Sequence, residues 1–205
     1  MTGTTTSNPA VGEFDRRVAP GRSLTGQAEA VARACHDMAV RFHRGGTLVV
    51  FGNGGGSTDA QHVAVEFVHP VIVGKRAFPA FSLTNDVATI TGIGATDGFA
   101  DVFSHQVRLL GRPADIALGL SADGREVNVR RGLEAAHDLG MLTVALVGAD
   151  GGDIAHSPAV DHVLRAPSDD PRIVKELQVT VYHVLWELVH VFFEQPGLLG
   201  PEVIR

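Results

Sequence analysis

Apolar residues in this chain fall into short continuous runs, separated by stretches in which they recur every three or four positions. TLVVFG (47–52), PAFSL (79–83), DIALGL (115–120), LTVALVG (142–148) and VDHVLRA (161–167) have strand length and strand composition. The intervening spacing predicts helices over about 23–43, 58–69, 99–111, 125–139 and 152–157, and a long one from Pro171 to about Gln195. Arg44-Gly45-Gly46 stops the first of these and Pro70 stops the second. Strands that are apolar along their whole length and alternate with helices imply an α/β fold, its parallel sheet of about five strands covered on both faces. Residues 1–12 are Thr, Ser, Gly and Pro with little to bury, and 1–22 are expected as a flexible N-terminal arm. A single domain is expected over 23–197 and a tail over 198–205.

Composition narrows the class. With 205 residues and 44% hydrophobic positions the chain can bury one sizeable core, and disorder over most of its length is excluded. Lys plus Arg is 17 and Asp plus Glu is 23, a formal net charge of −6. A duplex-binding surface wants the opposite sign, so nucleic acid is not expected as a partner. Cys35 has no second cysteine to bridge to and reads as a small buried hydrophobe in a reducing compartment. The start, MTGTTTSNPAVGEFDRR, has no apolar segment of a signal peptide. The most apolar long stretch, 179–193, is interrupted by His183, Glu187 and His190, so no membrane span is expected. A soluble, cytoplasmic protein is the expectation.

Two features carry chemistry. The first apolar run opens into Asn53-Gly54-Gly55-Gly56-Ser57 and then into a helix. Glycines there let the backbone approach a ligand closely, and the free N–H groups at the helix start suit an anion. The spacing is neither the dinucleotide fingerprint nor a Walker A loop. On the helix that follows, Thr58, Asp59, His62, Glu66 and His69 share one arc of about 100° at 100° per residue. His62 and Glu66 stand at i and i+4, so an imidazole and a carboxylate can converge on one ion or one substrate atom. The last helix has a polar stripe of Glu176, Thr180, His183, Glu187, His190 and Glu194, opposite Ile173, Leu177, Val181, Val184, Leu185, Leu188 and Phe192. By itself that is an ordinary amphipathic helix.

GNGGGSTDAQHVAVEF, GFADVFSHQVRLLGRPADIALGLSADG and AAHDLGMLTVALVGADGG, in that order, resemble the phosphoheptose isomerase branch of the sugar isomerase (SIS) domain family, over about residues 25–194. The resemblance implies a three-layer αβα sandwich with an N-terminal helix and a long C-terminal helix, assembled as a homotetramer. It implies isomerisation of sedoheptulose 7-phosphate to a heptose phosphate, with zinc in the site. His62 and Glu66 then match a metal-binding histidine and a catalytic, metal-binding glutamate. His183 matches a catalytic, metal-binding histidine, and Asn53, Gly54 and Gly55 match a substrate-contacting turn. Moving a proton between adjacent carbons through an enediol needs a base, an acid and a group to hold the developing oxyanion.

The departures from the family pattern concern the other ligands. Lys175 stands where the family has a metal-binding glutamine, and a protonated lysine offers no lone pair to a metal. The family's serine-rich phosphate turn reads Ser121-Ala122-Asp123-Gly124-Arg125-Glu126 here, with acids in place of two hydroxyls. Gly56 replaces another serine, with Ser57 adjacent, and Ala95-Thr96 replaces an Asn-Asp pair. Ser57, Ser121, Asp123, Glu126 and Lys175 therefore join the candidate substrate contacts. Two like charges about 4 Å apart near a surface repel by roughly 4 kcal/mol, so where Asp123 and Glu126 point matters to phosphate binding. Three readings follow: a phosphoheptose-type isomerase, an SIS-domain module that binds sugar phosphates or partners without turnover, and isomerase chemistry on a sugar lacking phosphate.

Overall fold

The computed structural model describes residues 8–199. Its five strands are β1 (Leu48–Gly52), β2 (Ala80–Ser82), β3 (Ile116–Ser121), β4 (Leu142–Gly148) and β5 (His162–Ala166). They form one sheet in the order β2-β1-β3-β4-β5, every pair parallel. The chain leaves β1 toward β2 on one side and returns to β3 on the other. The crevice beyond the carboxyl ends of β1 and β3 is therefore the topological switch point, where open α/β sheets bind ligands.

Alternating strand residues feed two cores, which is why the runs read as continuously apolar. Leu48, Val50, Ile116, Leu118, Leu120, Val144 and Leu146 face α2 (Ala28–His43), α3 (Gly55–Val68) and α8 (Pro171–Glu194). Val49, Phe51, Ala117, Ala145 and Val147 face α4 (Val87–Thr96), α5 (Val102–Leu110) and α6 (Val127–Asp138). The result is the three-layer αβα sandwich that the resemblance implies. A one-turn helix, α7 (Gly152–Ala155), leads toward β5. Cys35 is fully buried, and burial pushes its thiol up to about 12. Among the described residues, no helix is long and apolar enough to cross a membrane.

Three expectations differ from the structure. The arm expected over 1–22 is helical from Pro9 on, forming α1 (Pro9–Ser23); residues 1–7 lie outside the described part. This helix has Pro20 inside it and no buried residue, so it carries no amphipathic signal. It is tied to α8 instead, by Arg16 on Asp170 at 2.7 Å and Arg17 on Glu176 at 2.8 Å. The helix expected from Ser23 begins at Ala28, after a 3-10 turn over Leu24–Gln27. Helix α4 was not expected, because VATITGIGAT is rich in β-branched residues and glycine. Its start is fixed by Asp86, whose carboxylate accepts from the N–H groups of Ala88 and Thr89. Of the expected tail, Leu198 and Leu199 are described and 200–205 lie outside.

Candidate active site

The glycine turn is built by crowding. A side chain at Gly52 would place its Cβ 2.8 Å from the Leu120 carbonyl oxygen, so only glycine lets β1 close against β3 there. Gly54 has φ +51, a conformation L side chains rarely adopt, and it turns the chain into α3 at Gly55. Ser57 lies in the first turn of α3, its N–H directed at the Asn53 and Gly54 carbonyls. The Asn53 side-chain amide exchanges hydrogen bonds with that of Asn128, at 2.7 and 2.9 Å. Asn128 is buried at the start of α6, so this pair locks the β1 turn to the β3–α6 loop.

The stripe on α3 is polar but not solvent-facing throughout. Asp59 and Glu66 are buried, while His62 is exposed. Helix α8 runs past this face and supplies partners at successive turns. Lys175 places its ammonium 2.7 Å from both carboxylate oxygens of Asp59 and donates to the Gly55 carbonyl at 3.0 Å. Tyr182 meets His62 Nδ1 at 2.9 Å, and Trp186 Nε1 donates to the Glu66 carbonyl at 2.9 Å. Burial, then the charges of Asp59 and Glu66, push the Tyr182 phenol well above its usual range. It therefore stays a neutral hydroxyl, able to donate to or accept from His62 Nδ1. The expected polar stripe on α8 is interrupted at His190, which is buried and bonded to the Trp186 and Arg76 carbonyls.

His62, Glu66 and His183 come together. His62 Nε2 lies 3.1 Å from Glu66 Oε1, and the His62 and His183 ring centroids are 5.3 Å apart. One ligand atom from each of the three lies within 4.8 Å of the others. A shared ion or a shared substrate oxygen fits between two imidazoles and a carboxylate at that spacing.

The β3–α6 loop is arranged differently. Glu126 turns inward: its carboxylate accepts from the Ser121 hydroxyl and, at 3.3 Å, from the Ala122 N–H. Asp123 turns toward its own loop and accepts from the Arg125 N–H at 2.9 Å. The Arg125 guanidinium donates to the Asp150 carboxylate at 2.8 Å and to the Asp123 backbone carbonyl at 3.0 Å, and to neither carboxylate of the loop. Gln178 of α8 donates to the Ser121 and Leu146 carbonyls, pinning the loop from below. A cavity of about 210 Å³ lies between this loop and the glycine turn, with Asn53, Gly55, Asp59, Ser121 and Lys175 on its walls.

Sequence reasoning missed Asp59, Asn128, Gln178, Tyr182 and Trp186 as supports of this site. Two of them carried a signal: Asp59 stands on the polar arc of α3 with His62 and Glu66, and Tyr182 is the one tyrosine of the chain and precedes His183. The others pair across more than 50 positions, and no local spacing announces them.

The family model described as SIS domain matches residues 21–148. The phosphoheptose isomerase of Solidesulfovibrio magneticus is 41% identical over 184 residues, 89% of each chain, and that of Aquifex aeolicus is 39% identical over 74% of this chain and 78% of its own. Among solved structures, the phosphoheptose isomerase of Francisella tularensis superposes with a TM-score of 0.83 at 30% identity, covering 91% of this chain and 99% of that one. The corresponding enzyme of Neisseria gonorrhoeae gives 0.81 at 30% identity, over 88% and 96%. The fold and the switch-point crevice are those of a SIS-domain protein. Within that class, the chain belongs to the phosphoheptose isomerase family of sugar-phosphate isomerases.

Proposed function

We propose that this chain interconverts sedoheptulose 7-phosphate and a heptose phosphate through an enediol, with Glu66 and His183 as its proton-transferring residues. The observation that carries the assignment is the convergence of His62, Glu66 and His183, with one ligand atom of each within 4.8 Å of the others. In this reading Glu66 takes a proton from the carbon beside the carbonyl and returns it to the former carbonyl carbon. His183 gives a proton to the carbonyl oxygen as the enediol forms and takes one from the neighbouring hydroxyl as it collapses. Protons and charge balance, and no outside oxidant is needed. Burial of Glu66 suits a base that must react with a C–H bond in partial exclusion of water.

His62, Glu66 and His183 also suit a zinc ion, as three N/O donors with an open fourth position. Such an ion, when bound, would polarise the substrate carbonyl and stabilise the negative oxygen of the enediol. Tyr182 would fix the His62 ring from its other nitrogen. In this reading Asn53, Gly54, Gly55 and Ser57 contact the sugar; its support is the cavity that Asn53, Gly55 and Lys175 line, where Lys175 is paired with Asp59.

The same reading takes the particle as a homotetramer with sites at subunit boundaries. Its support is the exposed apolar strip of Val65 and Val68 on α3, continued by Val71, Ile72 and Val73 in the loop beyond. Light scattering should give about four times 21.6 kDa, and a monomer at micromolar concentration would remove the assembly.

Incubating the zinc-supplemented protein with sedoheptulose 7-phosphate and resolving the sugar phosphates by chromatography tests the activity. Formation of the aldose phosphate is expected; its absence, with the substrate nonetheless bound, would favour the non-catalytic SIS-domain module instead.

A further inference from the structure

We infer that Glu126 is a specificity-determining residue of this site: its carboxylate holds the donors that a substrate phosphate would use at the β3–α6 loop. The inference rests on the reading that the substrate carries a phosphate, and it concerns this chain's own departure from the serine-rich pattern. The loop stands at the carboxyl end of β3, beside the β1 turn, where α6 begins. The Ser121 hydroxyl gives its proton to Glu126 and accepts from the Gly124 N–H at 2.7 Å. The Ala122 N–H points at the second carboxylate oxygen. A hydroxyl and a backbone N–H ahead of a helix start are what either a carboxylate or a phosphate seeks. Glu126 shows that this cradle takes an anion, and it is itself the anion taken.

Among the described residues, the cations nearest this loop are already engaged. Arg125 is paired with Asp150 and Lys175 with Asp59. Ser121 and Ala122 line the cavity between loop and glycine turn, whereas Glu126 lines the adjoining one with Asp123 and Arg125, so a phosphoryl group that takes the Ser121 and Ala122 donors must draw them away from the Glu126 carboxylate. Displacing that carboxylate needs only a side-chain rotation, because Glu126 precedes α6 without capping it through its side chain. The carboxylate thus competes with the substrate's phosphate and leaves the sugar hydroxyls untouched.

The test compares wild type with Glu126→Ser and Glu126→Gln in calorimetry with inorganic phosphate, and in KM measurements with sedoheptulose 7-phosphate. Serine should raise phosphate affinity by about tenfold or more, since one screened repulsion of roughly 1.4 kcal/mol is worth that factor. Glutamine keeps the shape and should give part of the gain. KM should fall with kcat unchanged, affinity for unphosphorylated sedoheptulose should not move, and adding Ser121→Ala to the serine variant should remove the gain. Unchanged phosphate affinity in both variants, with thermal unfolding showing them folded, would overturn the inference. If the serine variant unfolds, the glutamine variant decides alone. Tighter phosphate binding with no turnover of the sugar phosphate by any form would leave the role of Glu126 standing and defeat the proposed isomerase instead.

Discussion

The α3–α8 end of the site and the β3–α6 loop handle charge in opposite ways. At the first, His62 and His183 turn toward one carboxylate, and their ring nitrogens gather around a common point. At the second, every charged side chain already has a partner: Glu126 in Ser121 and Ala122, Asp123 in the Arg125 N–H, and Arg125 in Asp150 of the loop after β4. Both ends rest on the same supports, since α8 presses Tyr182 and Trp186 against one and Gln178 against the other. A shared scaffold can therefore carry a reactive half that is open to a ligand and a recognition half closed on itself.

The largest effect should come from the open half. Glu66→Gln removes the base while keeping the shape, so kcat should fall by about a hundredfold to ten-thousandfold with substrate affinity retained. A loss of affinity equal to the loss of kcat would make Glu66 a binding residue and erase the contrast. Next in size is Lys175→Met, which strands the buried carboxylate of Asp59. Because the lysine side chain is about half exposed, at 46%, a cost of about 2 kcal/mol is expected rather than the 3–5 of a fully buried pair. Urea unfolding measures it, and Lys175→Gln should recover part of that loss while raising zinc affinity in a competition titration. No change in zinc affinity would mean that position 175 lies outside the metal's reach.

Tyr182→Phe should lower zinc affinity by about tenfold with little change in fold, because it removes only the partner of His62 Nδ1. An equal loss in a His62→Ala background would refute that coupling. The smallest effect belongs to Asp170, which caps α8 through the Arg172 N–H and holds α1 through Arg16. Its hydrogen bonds to Arg172, side chain first and backbone second, hold its carboxyl well below the ordinary value of 3.8. Its contribution is complete above that ordinary value and fades as pH drops through the depressed one. Asp170→Ala should therefore lower Tm at neutral pH, and the gap to wild type should close only under strongly acidic conditions. A gap that is constant down to such acidity would show that ionisation of Asp170 plays no part.

The sheet was legible because its central strands β1, β3 and β4 are buried on both faces, which leaves uninterrupted apolar runs in the sequence. Helices α3 and α8 were legible through their periodicity, as were the turn at Gly54 and the i, i+4 pair of His62 and Glu66. Helix α1 was not, because it docks through ion pairs to residues more than 150 positions away and buries no apolar face. Helix α4 was not, because its capping aspartate outweighs a weak intrinsic preference.

By itself the sequence determined which residue types stand at the site, since backbone periods of 2 and 3.6 dictate which side chains share a face. It also held the family pattern that singles out His62, Glu66 and His183. Only the tertiary structure decided where the charges go. Whether Asp59 faces water or Lys175, and whether Glu126 faces outward or closes on Ser121, depends on groups that meet when α8 crosses α3 and when the β3 loop folds back. Such pairings depend on distance in space, with an energy that changes steeply over a few ångströms.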